Sequence, residues 1–270
     1  ELASHGYVVF SIVHPGEAAW TPFPDGTGMP MDSGLVAAQK AQAADPTLLP
    51  RMMAGLARLD SATGPAERVA RLREFLAMTE EPIRSESIRE WTADTRNVVD
   101  LLERLDRGVA SSPFAGRLDL DRLGVFGMSY GGATVGEFCR QDPRCRAGIN
   151  IDGGQYGGLV DDSLAMPYLI IASQQAASVH PPVLDLTRGP AFMVTLPETT
   201  HLGLTDLTLM GPLLRWVGVT GRLDPERRER ILTGHVLGFF ETYLRGRSSP
   251  LFGSGSTEFP DLAVVRRNVP

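Results

Sequence analysis

The chain has 270 residues, 43% of them apolar and 21% charged, and a formal net charge of −6. That is enough chain for one large domain with a substantial core, in the composition range of globular proteins. The acidic balance offers no basic footprint for nucleic acid. The longest apolar runs, Val8 to Val13 and Tyr168 to Ala172, are too short to span a bilayer.

The chain opens at Glu1 rather than at a methionine, and it reads as beginning inside a domain. Residues 1–6 read as a helix end with a Gly6 stop, and Tyr7 to Val13 as a buried strand. His14 to Gly34 is rich in Pro, Gly and Asp, which predicts a loop. Leu35 to about Met78 reads as helical, broken at Pro46, Pro50 and Gly64-Pro65. From Ser87 to Leu105 the residues Ile88, Trp91, Thr95, Val98, Val99, Leu102 and Leu105 recur at three- and four-residue steps, which makes this the clearest helix. After a loop from Asp106 to Asp121, a strand leads into a helix from about Gly131 to Arg140. Further strands are predicted at Ala147–Ile151, Pro167–Ser173 and Ala191–Leu196. Asp224-Pro225-Glu226 starts a helix that runs to about Leu244, and a short strand follows at Leu262–Val265. Strands alternating with helices predict an α/β fold with a mostly parallel sheet covered on both faces.

The most informative segment is Leu123-Gly124-Val125-Phe126-Gly127-Met128-Ser129-Tyr130-Gly131-Gly132. An apolar strand, then Gly-x-Ser-x-Gly, then a small-residue helix start is the nucleophile elbow of an α/β-hydrolase. The turn is tight, so small neighbours are expected on both sides of Ser129, at Gly127 and Gly131. The backbone N–H of Tyr130 becomes a candidate oxyanion donor at a helix N-terminus. The bland alternative is an ordinary strand-to-helix turn with a solvated serine.

A serine hydroxyl needs a base within reach, and the base needs a carboxylate to fix its tautomer. Of the five histidines, His201 suits the base, because it lies in the loop after the last strong strand. His180 lies before two prolines, His235 falls inside the last helix as a packing residue, and His14 is a pocket-lining candidate together with Met128. Asp152 suits the acid: it ends the strand Ala147–Ile151 and is followed by Gly153-Gly154. Asp185 and Asp206 compete with it, while Asp161-Asp162 reads as a solvated pair. Cys139 and Cys145 can form a disulfide or serve as two small buried apolar residues, without metal-ligand company.

Four segments carry a family resemblance: Leu2 to Val9, Gly127 to Thr134, Arg146 to Asp152, and His201 to Asp206. Together they resemble the platelet-activating-factor acetylhydrolase (plasma/type II) branch of the α/β-hydrolases, which has lipase-like and polyester-degrading bacterial relatives. The resemblance runs, with gaps, from Glu1 to about Gly246. It implies Ser129 as nucleophile, Asp152 as acid and His201 as base, with no metal or organic cofactor. Chain length and the helical composition of the stretch predict one hydrolase domain over residues 1–270, partial at its N-terminus, with residues 35–86 as a helical insertion or cap after the first strand. The expected activity is carboxylic-ester hydrolysis of short-acyl phospholipids, simple esters or polyesters. An amidase or peptidase on the same fold, or an inert fragment acting as a binding module, is the rival.

Two departures from the family carry expectations, one being that Leu35 to Glu86 matches little of it and leaves the cap shape and substrate pocket open. In the other, the family's His-Gly-x-Gly-like segment, source of the second oxyanion donor, is absent here. So is the strand that ordinarily lies between the Tyr7 strand and the elbow strand. That predicts a gap in the sheet, and poor stability or activity for residues 1–270 alone. Trp20, Phe23, Met29 and Met31 could form an apolar rim that touches lipid, or could tuck inward as an ordinary loop. The family inclines toward export.

Overall fold

The computed structural model describes residues 1–79, 82–109, 111–253 and 258–269, so residues 80 and 81 of the 35–86 segment lie outside the description. The Pro- and Gly-rich stretch after His14 holds a small antiparallel hairpin, β1 (Trp20–Pro22) with β2 (Gly28–Pro30). Strands of three residues leave no periodic signal, which is why the stretch reads as plain loop.

Three helices follow: α1 (Ser33–Ala44), α2 (Leu48–Asp60) and α3 (Pro65–Thr79). Asp32 caps α1 by accepting the Leu35 N–H at 2.9 Å. Pro50 does not break α2, because it sits in the first turn, where a missing N–H costs no helical hydrogen bond. The long helix α4 (Pro82–Asp106) covers the region predicted most clearly.

The main sheet is built from β3 (Gly124–Met128), β4 (Ala147–Ile151), β5 (Tyr168–Ser173), β6 (Ala191–Leu196) and β7 (Ala263–Arg267), hydrogen-bonded in that order. The first four are parallel and β7 runs antiparallel to β6. Their connections carry α5 (Tyr130–Gln141), α6 (Pro181–Leu186), the short α7 (Pro212–Trp216) and α8 (Pro225–Tyr243). Asp224 caps α8 through the Arg227 N–H at 2.9 Å, as the Asp-Pro-Glu start predicts.

Alternate residues of each strand feed opposite cores. Ile149, Leu169, Ile171, Phe192 and Val194 pack against Phe239 and Phe240 of α8. Tyr168, Ile170, Ala172 and Met193 pack on the other face with Val135 and Phe138 of α5. Leu72 and Phe75 of α3 belong to that same cluster, so α3 shares the sheet's core. Arg68 of α3 grips Asp185 of α6 with two hydrogen bonds, at 2.7 and 3.1 Å. The fold is that of an α/β-hydrolase.

The predicted buried strand Tyr7–Val13 is not formed. The segment belongs to no described strand, and Val8, Val9 and Val13 are exposed. Its residues have strand propensity, but a strand also needs a neighbour about 4.8 Å away to complete its hydrogen bonds. Side chains fix the segment instead. The Tyr7 hydroxyl donates to Glu241 at 3.0 Å, Arg245 lies 4.0 Å over the Tyr7 ring, and Phe10 meets Phe114 edge-on. No described residue pairs with the outer edge of β3, where Phe126 is 43% exposed.

Candidate active site

The chain turns from β3 into α5 through Ser129, at φ 57° and ψ −119°. A non-glycine residue held at positive φ is strained, and the surroundings must enforce it. The Ser129 N–H donates to the Ile151 carbonyl at 2.9 Å, fixing the elbow to the next strand. A Cβ on Gly127 would come within 2.5 Å of the Gly131 carbonyl, and one on Gly132 would collide with the Asn150 side chain. One on Gly131 would meet nothing within 4 Å. The expectation that Gly131 must be small is therefore corrected: the crowded positions are 127 and 132, because the Cβ at 131 would face open space.

Asp152 follows β4 at φ 56°. Its turn is held by Asn150, whose side chain accepts the Gly153 N–H at 2.7 Å and donates to the Gly153 carbonyl at 2.9 Å. The Asp152 side chain is fully buried. Its Oδ1 accepts the Ser173 N–H and its Oδ2 the Ser173 hydroxyl, each at 2.7 Å. Burial alone would raise its pKa. The imidazoles of His180 and His201, together with Ser173, outweigh that and hold it well below the usual carboxylate range.

His201 stands in the turn after β6. The Thr200 hydroxyl ties this turn to Val219 at 2.6 Å, and buried Arg228 of α8 donates to the Thr205 carbonyl at 2.5 Å. His201 Nδ1 lies 2.8 Å from Asp152 Oδ2, and its Nε2 lies 2.9 Å from Ser129 Oγ. An ionised carboxylate only accepts, so Nδ1 carries the proton and Nε2 is left as the acceptor for the serine hydroxyl. The imidazole is 37% exposed and open to solvent. Such an arrangement can draw a proton from Ser129 and return it to a leaving group.

The structure thus brings together Ser129, Asp152 and His201, with Tyr130 as the first residue of α5. His14 is linked to Tyr130 through Trp91. Its Nδ1 is 2.7 Å from Asp94, its ring stacks on Trp91 at 3.9 Å, and Trp91 meets Tyr130 edge-on at 5.3 Å. Met128 packs against the core on the α8 side. His235 is buried and bonded to the Ile231 carbonyl at 2.7 Å, and Asp185 is taken by Arg68. Asp161 and Asp162 pair with Arg73 and Arg140. Cys139 and Cys145 form a disulfide.

Sequence reasoning missed Ser173, Asn150 and Arg228. Ser173 had a usable signal, because it ends a predicted parallel strand on the edge where Asp152 emerges. A cleft of about 580 Å³ between α4 and α5 is lined by Arg89, Arg96, Glu137 and Arg140, without Ser129 or His201. Among the described residues no group of three or more His, Cys, Asp or Glu side chains is placed to hold a metal.

The sequence profile of the family described as platelet-activating factor acetylhydrolase, isoform II, matches residues 1–248. The chain belongs to this family. A platelet-activating factor acetylhydrolase of Cavia porcellus is 23% identical over 256 residues, covering 90% of this chain and 52% of the relative. A probable 1-alkyl-2-acetylglycerophosphocholine esterase of Arthroderma benhamiae is 24% identical over 206 residues, covering 66% of this chain and 50% of the relative. The chain spans about half the length of these curated relatives. Among solved structures, the ferulic acid esterase from Streptomyces cinnamoneus superposes with a TM-score of 0.63 at 22% identity, over 94% of this chain and 64% of that one. That likeness supports the fold.

Proposed function

We propose that the protein is a serine carboxylic-ester hydrolase. The observation that carries this reading is the line from Asp152 through His201 to Ser129, with steps of 2.8 and 2.9 Å. Ser129 Oγ attacks the ester carbonyl carbon while its proton passes to His201 Nε2. The Tyr130 N–H faces the developing oxyanion. Collapse of the tetrahedral adduct breaks the ester C–O bond, and His201 returns the proton to the departing alcohol. Water then attacks the acyl carbon as His201 takes its proton; collapse breaks the acyl–Oγ bond, His201 returns the proton to Ser129 Oγ, and the carboxylic acid leaves. Asp152 stays ionised throughout and holds the imidazole in its tautomer.

The relatives' names point to short acyl esters of glycerophospholipids as the first substrate class, with simple esters and polyesters next. Residues 1–270 act as one hydrolase domain in this reading, with residues 35–86 forming its cap. Directly after His201 the chain exposes Leu209, Met210, Leu213 and Trp216, the last 84% exposed, which suits an ester offered at a lipid surface. Of the rim expected from the sequence, Trp20 and Met29 are exposed while Phe23 and Met31 are half-buried. The disulfide favours an oxidising compartment.

The test is hydrolysis of p-nitrophenyl acetate, butyrate and octanoate by the protein beside its Ser129→Ala variant. Activity that falls by about 10⁴-fold or more in the variant is expected. Hydrolysis indifferent to Ser129 would remove the reading.

A further inference from the structure

Asp152 has an imidazole on each side. His201 approaches Oδ2, and His180 presents Nε2 to Oδ1 at 3.5 Å. His180 is 1% exposed, and this nitrogen is buried without a hydrogen bond of normal geometry. A buried ring nitrogen is costly unless it is satisfied, and Asp152 Oδ1 is the acceptor it faces. His180 is well held there. It precedes Pro181 at the start of α6, and its carbonyl accepts the Val183 N–H at 3.0 Å.

We propose that His180 is a positioning residue for the reaction described above, and the proposal rests on that reading. Its Nε2–H closes onto Asp152 Oδ1 and locks the carboxylate in the rotamer that offers Oδ2 to His201. It also withdraws part of the negative charge that His201 would otherwise feel. The carboxylate then meets four donors, two from Ser173 and one from each histidine, so no lone pair is left to swing it away from His201.

The charged groups on the elements around His180 are paired or exposed: on α3, which packs on α6, Arg71 pairs with Glu67 and Glu74 and Arg73 with Asp161. Asp185 of its own helix is paired with Arg68 of α3 at 2.7 Å. β5 and β6 carry no charge, and Glu198 after β6 is exposed. From α2, which packs on residues 174–179, come Arg51, Arg58 and Asp60, all exposed.

The experiment is the pH profile of kcat/KM for p-nitrophenyl acetate with His180→Phe, which fills the space without a donor, and His180→Gln, which restores an N–H. With its carboxylate less neutralised, His201 holds its proton more tightly. The acid limb should therefore rise by about one pH unit in His180→Phe and return toward the original position in His180→Gln. kcat should fall by about tenfold, with KM unmoved. An unshifted acid limb in His180→Phe overturns the proposal, whatever activity remains. Should His180→Phe fail to fold, ¹⁵N-histidine NMR of the unaltered protein decides: a protonated Nε2 on His180 is expected, and an unprotonated one overturns the pairing. Activity that survives Ser129→Ala strikes the hydrolase reading alone, because the NMR result reads the His180–Asp152 pair without turnover.

Discussion

Ser173 grips Asp152 twice, its amide on one carboxylate oxygen and its hydroxyl on the other, each at 2.7 Å. The two bonds come from the end of β5 and pin a carboxylate carried by β4, so the neighbouring strand fixes the direction in which Asp152 faces His201. Ser173→Ala keeps the amide bond and deletes the hydroxyl. A hydrogen bond to a buried charge is worth about 2 kcal/mol, so urea unfolding should show a loss of that order. kcat/KM should drop by about tenfold as the carboxylate gains freedom.

The depressed pKa of Asp152 sets an acid dependence of stability. Its folded value lies below the unfolded value of about 3.9, so the folded state favours the ionised form. The resulting stabilisation is full above about pH 5 and drains away as pH falls toward the folded value. Asp142, lowered chiefly by its hydrogen bonds from Arg144, acts in the same direction. Unfolding free energy measured from pH 6 down to 3 should fall more steeply for the unaltered chain than for Asp152→Asn. Parallel curves would show that Asp152 contributes no such term.

Two glycines of one motif should respond in opposite ways. Gly127→Ala drives a methyl within 2.5 Å of the Gly131 carbonyl and should cost about 2–3 kcal/mol, because backbone must move. Gly131→Ala meets nothing within 4 Å in the first turn of α5 and should be neutral, or stabilising by about 0.5 kcal/mol. Thermal unfolding of the pair separates packing from motif spelling.

The disulfide joins Cys139, near the end of α5, to Cys145, two residues before β4. Closing so short a loop is worth about 2 kcal/mol in the unfolded chain. Urea unfolding with and without a reductant should differ by that amount, and Cys139→Ala with Cys145→Ala should reproduce the reduced curve.

What the sequence disclosed was local. The Asp224-Pro225-Glu226 start of α8 and the runs Ala147–Ile151 and Ala191–Leu196 carry their caps and apolar stretches within a few residues, and they form where they were read. Ser129, Asp152 and His201 could be picked out because each follows a strand. Of the supports missed, Ser173 left a signal of place, as the end of a parallel strand on the edge where Asp152 emerges, but none left a signal of partner. Ser173 binds Asp152 across 21 positions and Arg228 reaches Thr205 across 23, distances at which no periodicity reports. Tyr7–Val13 shows the same limit from the other side, since an apolar β-forming run says nothing of whether a neighbour exists to pair with it.

Ser129, Asp152 and His201 stand after β3, β4 and β6, and no two of them share an element. Their meeting therefore depends on three strand registers being correct at once, as a lock depends on every tumbler. A chain that has collapsed but not yet docked β6 beside β5 has all the right side chains and no approach of His201 to Ser129. Labelling of Ser129 by a serine-directed phosphonate during refolding would then time the last register to close.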